Sequence, residues 1–586
     1  MKHHTLNAFL TWAEEYNVQW DKDAIEIREC KHGLGIFAKK NLDAGYEAIQ
    51  VPKSIVLSVE STGIANLLEE EDIEGYAGLT LACMYEYSQG AESVWSSYLA
   101  LLAESLPQMP SDLSGDAREL LKKSEVYGDI ETDLKDMQED YDTVVLPFLE
   151  KHPEVFTADI KAKFFSFEDF KTMTSHVSSR AMDVDNFHIS ALVPFADIVN
   201  HNSEPNSDYL THEEVCEVCG AISCEHMDED DEEEDDEEAP ELAGDEDKKK
   251  RTAAKKAEAA DEDDEDDDEE DEDWEDDIND TCDIVLDDDV KKGEEITRHY
   301  GPFPNKIFLS KYGFAEVDNE HDTVTVQIEM VKKAAESILG DPVLVEERTK
   351  WFLETEDIFI GEDDEDELED EGCCDGDHDH DHDHGHSHAH GHAHAHKQKK
   401  EDIEAGEAEA EESDSEDEES DDEAEEEDFP RDIMEIMHDG SIDDRLLMLL
   451  NVLFMDKEQF VKVEESVDAA TEYFNDIFLR RAIEEDLAAD DEDSDEEEAQ
   501  PKPELKPLDD AGRRVRKNVL EAILQVIRLR ADAYDVSDKT TAEDDMELLN
   551  KAGLSGTLYY GALCVIGEKK VLQNALKTYS KFQAEL

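Results

Sequence analysis

Polar residues set among apolar ones mark the stretch of this chain best suited to chemistry. In Ala191–Asn206, read ALVPFADIVNHNSEPN, Asp197, Asn200, His201 and Asn206 interrupt Leu192, Val193, Phe195, Ile198 and Val199, with Pro194 and Pro205 breaking regular structure. Polar groups in such surroundings need partners, so the stretch predicts a site, or else a polar turn packed into a core. A second stretch, Lys291–Phe314, carries a Gly-Glu-Glu turn leading into a short strand that ends at Tyr300. A third, Cys30–Ser58, opens on the Gly33-Leu34-Gly35 spacing after His32. Arg180, upstream, could form a buried ion pair with Asp197. Cys216, Cys219, Cys224 and His226 form C-x2-C-x4-C-x-H, enough ligands for tetrahedral zinc. Their last spacing is tighter than in ordinary zinc knuckles and no aromatic or glycine-rich scaffold follows, so surface thiols are the competing reading and no metal is assigned. The alternating histidines of His378–His396 are low-complexity and predict loose chelation rather than an ordered site.

The elements that must position these residues belong to a chain of 586 residues, long enough for two or three domains, whose 38% hydrophobic content is ample for cores. Its formal net charge of −108 is concentrated in Asp228–Glu238, Asp261–Asp277, Glu362–Glu371, Glu401–Asp428 and Asp490–Glu498. Such blocks repel themselves and bury too little apolar surface to offset the entropy of ordering, which predicts disorder. The same charge argues against nucleic acid as a partner and favours basic proteins. Met1–Tyr16 lacks the apolar run of a secretory signal, and the greasiest run, Leu446–Met455, is far short of a bilayer span. We therefore expect a soluble monomer of the cytoplasm, with entry to the nucleus through Lys248-Lys249-Lys250-Arg251 opposed by the flanking acid. The nine cysteines are then most simply reduced thiols.

Leu6, Phe9, Leu10 and Ala13 recur at helical spacing, and alternating Ile25 and Ile27 lead into the Gly33 strand. Leu79–Tyr87, Trp95–Leu102, Ala117–Phe148 and Phe167–Val177 form a mostly helical insertion. Cys282–Leu286 and Ile296–Tyr300 resume strand patterning around the Lys291-Lys292-Gly293 turn. After Val324–Met330, helices are expected at Ala334–Leu339, Lys350–Leu353, Ile433–Met437, Leu446–Phe454, Ala469–Ala488, Arg513–Ala533 and Leu558–Phe582. Val519, Ile523, Val526 and Ile527 share one apolar face.

In order and spacing, the Gly-x-Gly strand start, Asn-His-x-x-x-Pro-Asn and Gly-Glu-Glu-x-x-x-x-Tyr-Gly segments together resemble the SET-domain methyltransferases. The spelling Pro-x-x-Asp-x-x-Asn-His at Pro194–His201, with Ser179-Arg180-Ala181 before it and Tyr312-Gly313-Phe314 after, is similar to the plant Rubisco large-subunit methyltransferase group, which also includes the actin-histidine methyltransferase. The resemblance runs from Leu6–Ala13 through Ser93-Val94-Trp95, Tyr98 and Leu106-Pro107 to Gly567–Gln573, leaving out the charged inserts.

It implies an α+β fold: a β-rich, pseudoknotted SET core with a helical insert, an all-helical C-terminal substrate-docking domain and disordered acidic inserts. The core would take residues 1–90 and 175–322, with acidic insert 211–280, around a helical insert at 91–174. The helical domain would begin at 323–361 and resume at 429–586, with an acidic and His-rich insert at 362–428 and a linker at 490–507. The implied activity is methyl transfer from S-adenosylmethionine to a lysine of a protein. His32, Gly33, Leu34, Arg180, Asn200, His201 and Phe314 would contact the cofactor. Arg180, Asp197, Tyr300 and Tyr312 would contact the substrate, with Tyr300 as the catalytic residue. Lysine is preferred because Ser179-Arg180-Ala181-Met182 is similar to the Ser-Arg-Ala-Phe of the lysine-directed enzyme and lacks the amide of the histidine-directed one. Histidine methylation, or a non-catalytic acidic binding protein on a SET scaffold, are the alternatives.

Overall fold

The computed structural model describes residues 2–31, 33–105, 109–113, 118, 121–122, 124–224, 226, 280–356, 433–489, 507–532, 534 and 540–586. The acidic blocks Asp228–Glu238, Asp261–Asp277, Glu362–Glu371, Glu401–Asp428 and Asp490–Glu498 and the His378–His396 run lie outside them, whereas the expected insert 211–280 is described at 211–224, 226 and 280. The chain divides into two compact units, the first built from Met1–Leu106 and Met137–Tyr300.

Among the described residues nine strands shape that first unit: β1 (Ile25–Cys30), β2 (Gly33–Ala38), β3 (Glu47–Pro52), β4 (Met182–Asp185), β5 (Ile189–Ala191), β6 (Asn200–His201), β7 (Ser207–Thr211), β8 (Thr281–Leu286) and β9 (Glu295–Arg298). They form a sheet of order β1-β2-β9-β6, a second of order β3-β8-β7, and the β4-β5 hairpin. In β8 the side chains of Cys282, Ile284 and Leu286 are buried and those between are not, the alternation of a strand with one face on a core. The first sheet gathers the polar motifs. Antiparallel pairing sets Ile36 against Ile296, while β6 runs parallel to β9 with Asn200 opposite Thr297 and His201 opposite Arg298. Three stretches far apart in sequence thus become neighbours on one sheet.

Aromatic packing holds the turn that precedes β6. Helix Lys2–Glu15 buries Phe9 and Trp12, and the Phe9 ring lies 5.8 Å from Phe195 and 6.2 Å from Tyr98 of helix Ser96–Glu104. Leu192, Val193, Phe195, Ile198 and Val199 are all buried, as the sequence predicts. They form a strand end, a bend and a single 3-10 turn at Ala196–Ile198 rather than a continuous strand.

The second unit takes Pro107–Asp136 and the described residues from Gly301 onward. Helices cover Ile328–Leu339, Pro342–Thr355, Asp444–Phe454, Val467–Ala489, Asp510–Ala531 and Thr557–Glu585, at the expected places, with Lys457–Glu465 and Ala542–Ala552 in addition. The expected face of Val519, Ile523, Val526 and Ile527 is buried, in one core with Leu446, Leu449 and Leu450. The expected helix at Ile433–Met437 is instead strand β11 (Ile433–Ile436), paired antiparallel with β10 (Val324–Gln327). Met434 and Ile436 are both fully buried, one on either side of Glu435, a period of two that suits a strand. Among the described residues no helix is long and apolar enough to cross a membrane.

Candidate active site

Glycine opens the site. Gly33 sits at φ +111°, which side chains rarely adopt, and a Cβ on Gly35 would collide with the Glu295 carboxylate and with Asn200 Nδ2. The close approach at Gly35 lets Asn200 tie the sheet together. Its Nδ2 donates to the Leu34 carbonyl at 3.0 Å and to Glu295 Oε1 at 2.7 Å, linking β2, β6 and β9. Beside it, the Tyr300 backbone N–H donates to His201 Nδ1 at 3.0 Å, so a neutral His201 ring carries its proton on Nε2. The His201 ring lies 5.2 Å from that of Tyr300 and 5.0 Å from that of His299.

Tyr300 lies two residues beyond the end of β9, and its hydroxyl donates to the Val199 carbonyl at 2.8 Å. Burial raises its pKa above the ordinary phenol value, against the pull of the Arg298 and Arg180 charges. The Arg298 guanidinium lies 4.6 Å from the ring centre. Tyr300 therefore stays protonated at neutral pH and serves as a fixed dipole rather than a base.

The turn before β6 carries the ion pair. Arg180 Nη1 donates to both the backbone carbonyl and Oδ2 of Asp197, each at 3.0 Å, and Tyr98 donates its hydroxyl proton to the same Oδ2 at 2.9 Å. The Asp197 side chain is fully buried, yet its Oδ1 and the Arg180 Nε have no hydrogen-bond partner among the described residues. Just before it, Phe195 adopts φ +87°, costly for a bulky side chain and held here by the aromatic packing. The expected Arg180–Asp197 ion pair is present.

Gly33, Leu34, Arg180, Asp197, Asn200, His201 and Tyr300 all fall in the first unit. His32 lies outside the described residues. Tyr312 and Phe314 belong to the second unit, where their rings are 6.1 Å apart and Phe308 stacks on Phe314 at 5.1 Å. Two participants were missed in the sequence. Glu295 could have been found as an acid carried into a strand beside Ile296, and Tyr98 as a hydroxyl on an otherwise apolar helix face.

No family model matches the chain. Among curated proteins it is 27% identical over 381 residues to ribosomal lysine N-methyltransferase 3 of Saccharomyces cerevisiae, covering 59% of this chain and 68% of that one. It is 24% identical over 383 residues to N-lysine methyltransferase setd6 of Danio rerio, covering 61% and 67%. Against the setd6 protein of Salmo salar it is 28% identical over 216 residues and spans 48% of that relative's length. Among solved structures it is similar to the SET domain of LSMT bound to lysine and AdoHcy, with a TM-score of 0.55 at 15% identity over 100% of this chain and 92% of that one. Rubisco LSMT bound to AdoMet gives a TM-score of 0.53, also at 15% identity, over 99% and 92%. The fold is that of the SET domain. Among proteins of that fold, the chain is similar to the Rubisco large-subunit methyltransferase, and its curated relatives are lysine N-methyltransferases.

Proposed function

We propose that this chain acts on a basic protein substrate and that Tyr300 aligns the accepting nitrogen. The chain is an S-adenosylmethionine-dependent protein-lysine N-methyltransferase. The observation that carries the residue assignment is the convergence of Gly33-Leu34, Asn200-His201 and the strand leading to Tyr300 on a single sheet. S-adenosylmethionine, when bound, supplies an electrophilic methyl group on a sulfonium. The residues present fit such a ligand: Gly33 and Gly35 keep side chains away from the β2 backbone, and Arg180 Nε is a buried donor without a protein acceptor.

Gly33, Leu34, Asn200 and His201 hold the cofactor through backbone and amide groups, and Arg180 binds at the junction of cofactor and substrate. Asp197 fixes the Arg180 guanidinium and keeps its charge from turning away. The Tyr300 hydroxyl orients the amine, and alignment of three atoms in line supplies much of the rate of such a displacement. A protonated Tyr300 removes no proton, so the lysine must arrive neutral, and the rate rises with pH toward the ordinary lysine value near about 10.4. His32 would add a backbone contact to the cofactor, Phe314 would stack on its adenine, and Tyr312 would line the lysine channel with its ring. Met182, where the lysine-directed pattern has Phe, is buried in the core.

The charge of −108 supports basic proteins as substrates and disfavours nucleic acid. A monomer resident in the cytoplasm, with the nucleus as a second site, fits the same composition. The test is transfer of labelled methyl groups from the cofactor into a proteome extract, followed by mapping of the modified residue. Lysine is expected. Methylation on histidine would overturn the assignment of the acceptor.

A further inference from the structure

We propose that Cys216, Cys219, Cys224 and His226 bind one zinc ion that staples the segment after β7 to the first unit, a structural site separate from methyl transfer. The four ligand atoms lie within 4.8 Å of one another. His226 Nδ1 is 3.7 Å from Cys216 Sγ and 3.6 Å from Cys224 Sγ. In a tetrahedron with Zn–S of about 2.3 Å and Zn–N of about 2.05 Å, the S···N edge is about 3.6 Å. One ring nitrogen makes a single hydrogen bond, so near-equal approach of two sulfurs to it is the geometry of shared ligation. A disulfide would bring two of the sulfurs to about 2.05 Å, and among the described residues no cysteine forms one.

The backbone supplies the scaffold that the sequence did not reveal. The N–H groups of Cys219 and Gly220 both donate to the Cys216 carbonyl, at 3.3 and 2.8 Å, and the Cys216 N–H donates to the Ala221 carbonyl at 3.0 Å. This turn, closed by Gly220 at φ +69°, brings two cysteines three residues apart to one point. A Cβ on Gly220 would come 2.7 Å from the Phe187 ring, so the glycine seats the turn against the β4-β5 hairpin. Val215 and Cys216 are buried, the Asn186 N–H donates to the Glu213 carbonyl at 3.1 Å, and Lys53, paired with Asp185 at 2.7 Å, donates to the His212 carbonyl. The aromatic and the glycine of a metal knuckle are both present, the aromatic from earlier in the chain. On binding, the three thiols give their protons to solvent, and three thiolates with a neutral imidazole complete the shell. None of the four has a hydrogen bond to Tyr300, Asn200 or Arg180 among the described residues, so the ion fixes the segment that follows β7 and takes no part in the reaction.

The test uses the full chain, purified with reductant and dialysed against a mild chelator, with zinc counted by plasma mass spectrometry. About one zinc per chain is expected, falling below about a tenth in Cys216→Ser/Cys219→Ser, retained in His226→Cys and reduced in His226→Ala. Cobalt substituted for zinc should show thiolate charge-transfer bands that vanish in the double variant. Unchanged S-adenosylmethionine affinity in the variants would show the core intact, and the exposed His226 gives a readout should the cysteine variant fail to fold. Zinc that survives the cysteine substitutions, zinc lost instead on replacing the histidines of His378–His396, a metal-free chain, or a disulfide in the intact mass would each overturn the proposal.

Discussion

Each unit buries an arginine against carboxylate and tyrosine, and the two clusters are finished differently. In the second unit Arg530 pairs with Glu125 at 2.9 Å and Glu568 at 3.4 Å. Tyr534 donates to Glu568, Lys306 lies 3.3 Å from Glu125, and both the N–H and the hydroxyl of Thr325 donate to Glu125 at 2.7 Å. None of these side chains is among the buried atoms without a partner. In the first unit, Arg180, Asp197 and Tyr98 form the same kind of triad and leave Arg180 Nε and Asp197 Oδ1 unsatisfied. Saturated buried charge is structural, because its desolvation is already offset. Buried polar atoms left without a protein partner need another account, and for Arg180 and Asp197 we propose a bound ligand.

The largest effect should come from the saturated cluster. Arg530→Met leaves Glu125 and Glu568 buried together, and the loss is expected at about 3–5 kcal/mol in chemical denaturation, with cofactor affinity unchanged in whatever stays folded. Arg180→Lys should do the reverse: it keeps the charge but loses the planar fork, costing less than about 1 kcal/mol of stability and at least about tenfold in kcat/KM. Equal stability losses at the two positions would break the distinction between the clusters.

Titration sharpens it next. Burial, followed by the Glu125 charge, raises the Glu568 carboxyl from 4.5 to about 7. A raised carboxyl favours folding below its unfolded value and loses that contribution as pH rises, so Glu568 weakens the fold between about 4.5 and 7. Burial, followed by the Arg180 charge, lowers His176 in the first unit from 6.5 to about 3. There the unfolded chain takes the proton and the folded one does not, so stability falls as pH drops below about 6.5. Glu568→Gln and His176→Gln should therefore flatten opposite slopes of unfolding free energy against pH. Slopes of the same sign would contradict the assignment.

The smallest effect concerns the acidic tracts. Their field should raise the encounter rate with basic substrates and fade over a Debye length of about 8 Å at physiological salt. Deleting Asp228–Asp277 and Glu401–Asp428 should raise substrate KM at low salt, leave kcat nearly unchanged, and converge with the intact chain as salt rises. Unchanged low-salt kinetics would make the tracts passive toward substrate.

How much of this was legible in the sequence depended on whether the signal was local. Most helices of the second unit were, because their apolar periods persist over many residues, as at Val519–Ile527, whereas Lys457–Glu465 and Ala542–Ala552 were not foreseen. Ile433–Ile436 was misread as helix: four residues cannot separate the two periods, and its partner Val324–Gln327 is over a hundred positions away. In the site, Asn200, His201 and Tyr300 stood out by type and spacing. Glu295 and Tyr98 did not, because their meaning comes from strand register and helix packing, which no window of sequence contains. The same holds for Phe187, whose seat under Gly220 turns scattered cysteines into a site.

The central claim is that the Tyr300 hydroxyl acts on the reacting atoms rather than on the fold. Tyr300→Phe removes only that hydroxyl and its 2.8 Å bond to the Val199 carbonyl, keeping the ring that packs beside His201. Calorimetry of S-adenosylmethionine binding and single-turnover methyl transfer on the same preparation decide the matter. Affinity should stay within about threefold while the single-turnover rate falls by about a hundredfold or more, the mark of an interaction used in the transition state. Parallel losses in affinity and rate would show Tyr300 to be a structural residue and contradict the mechanism.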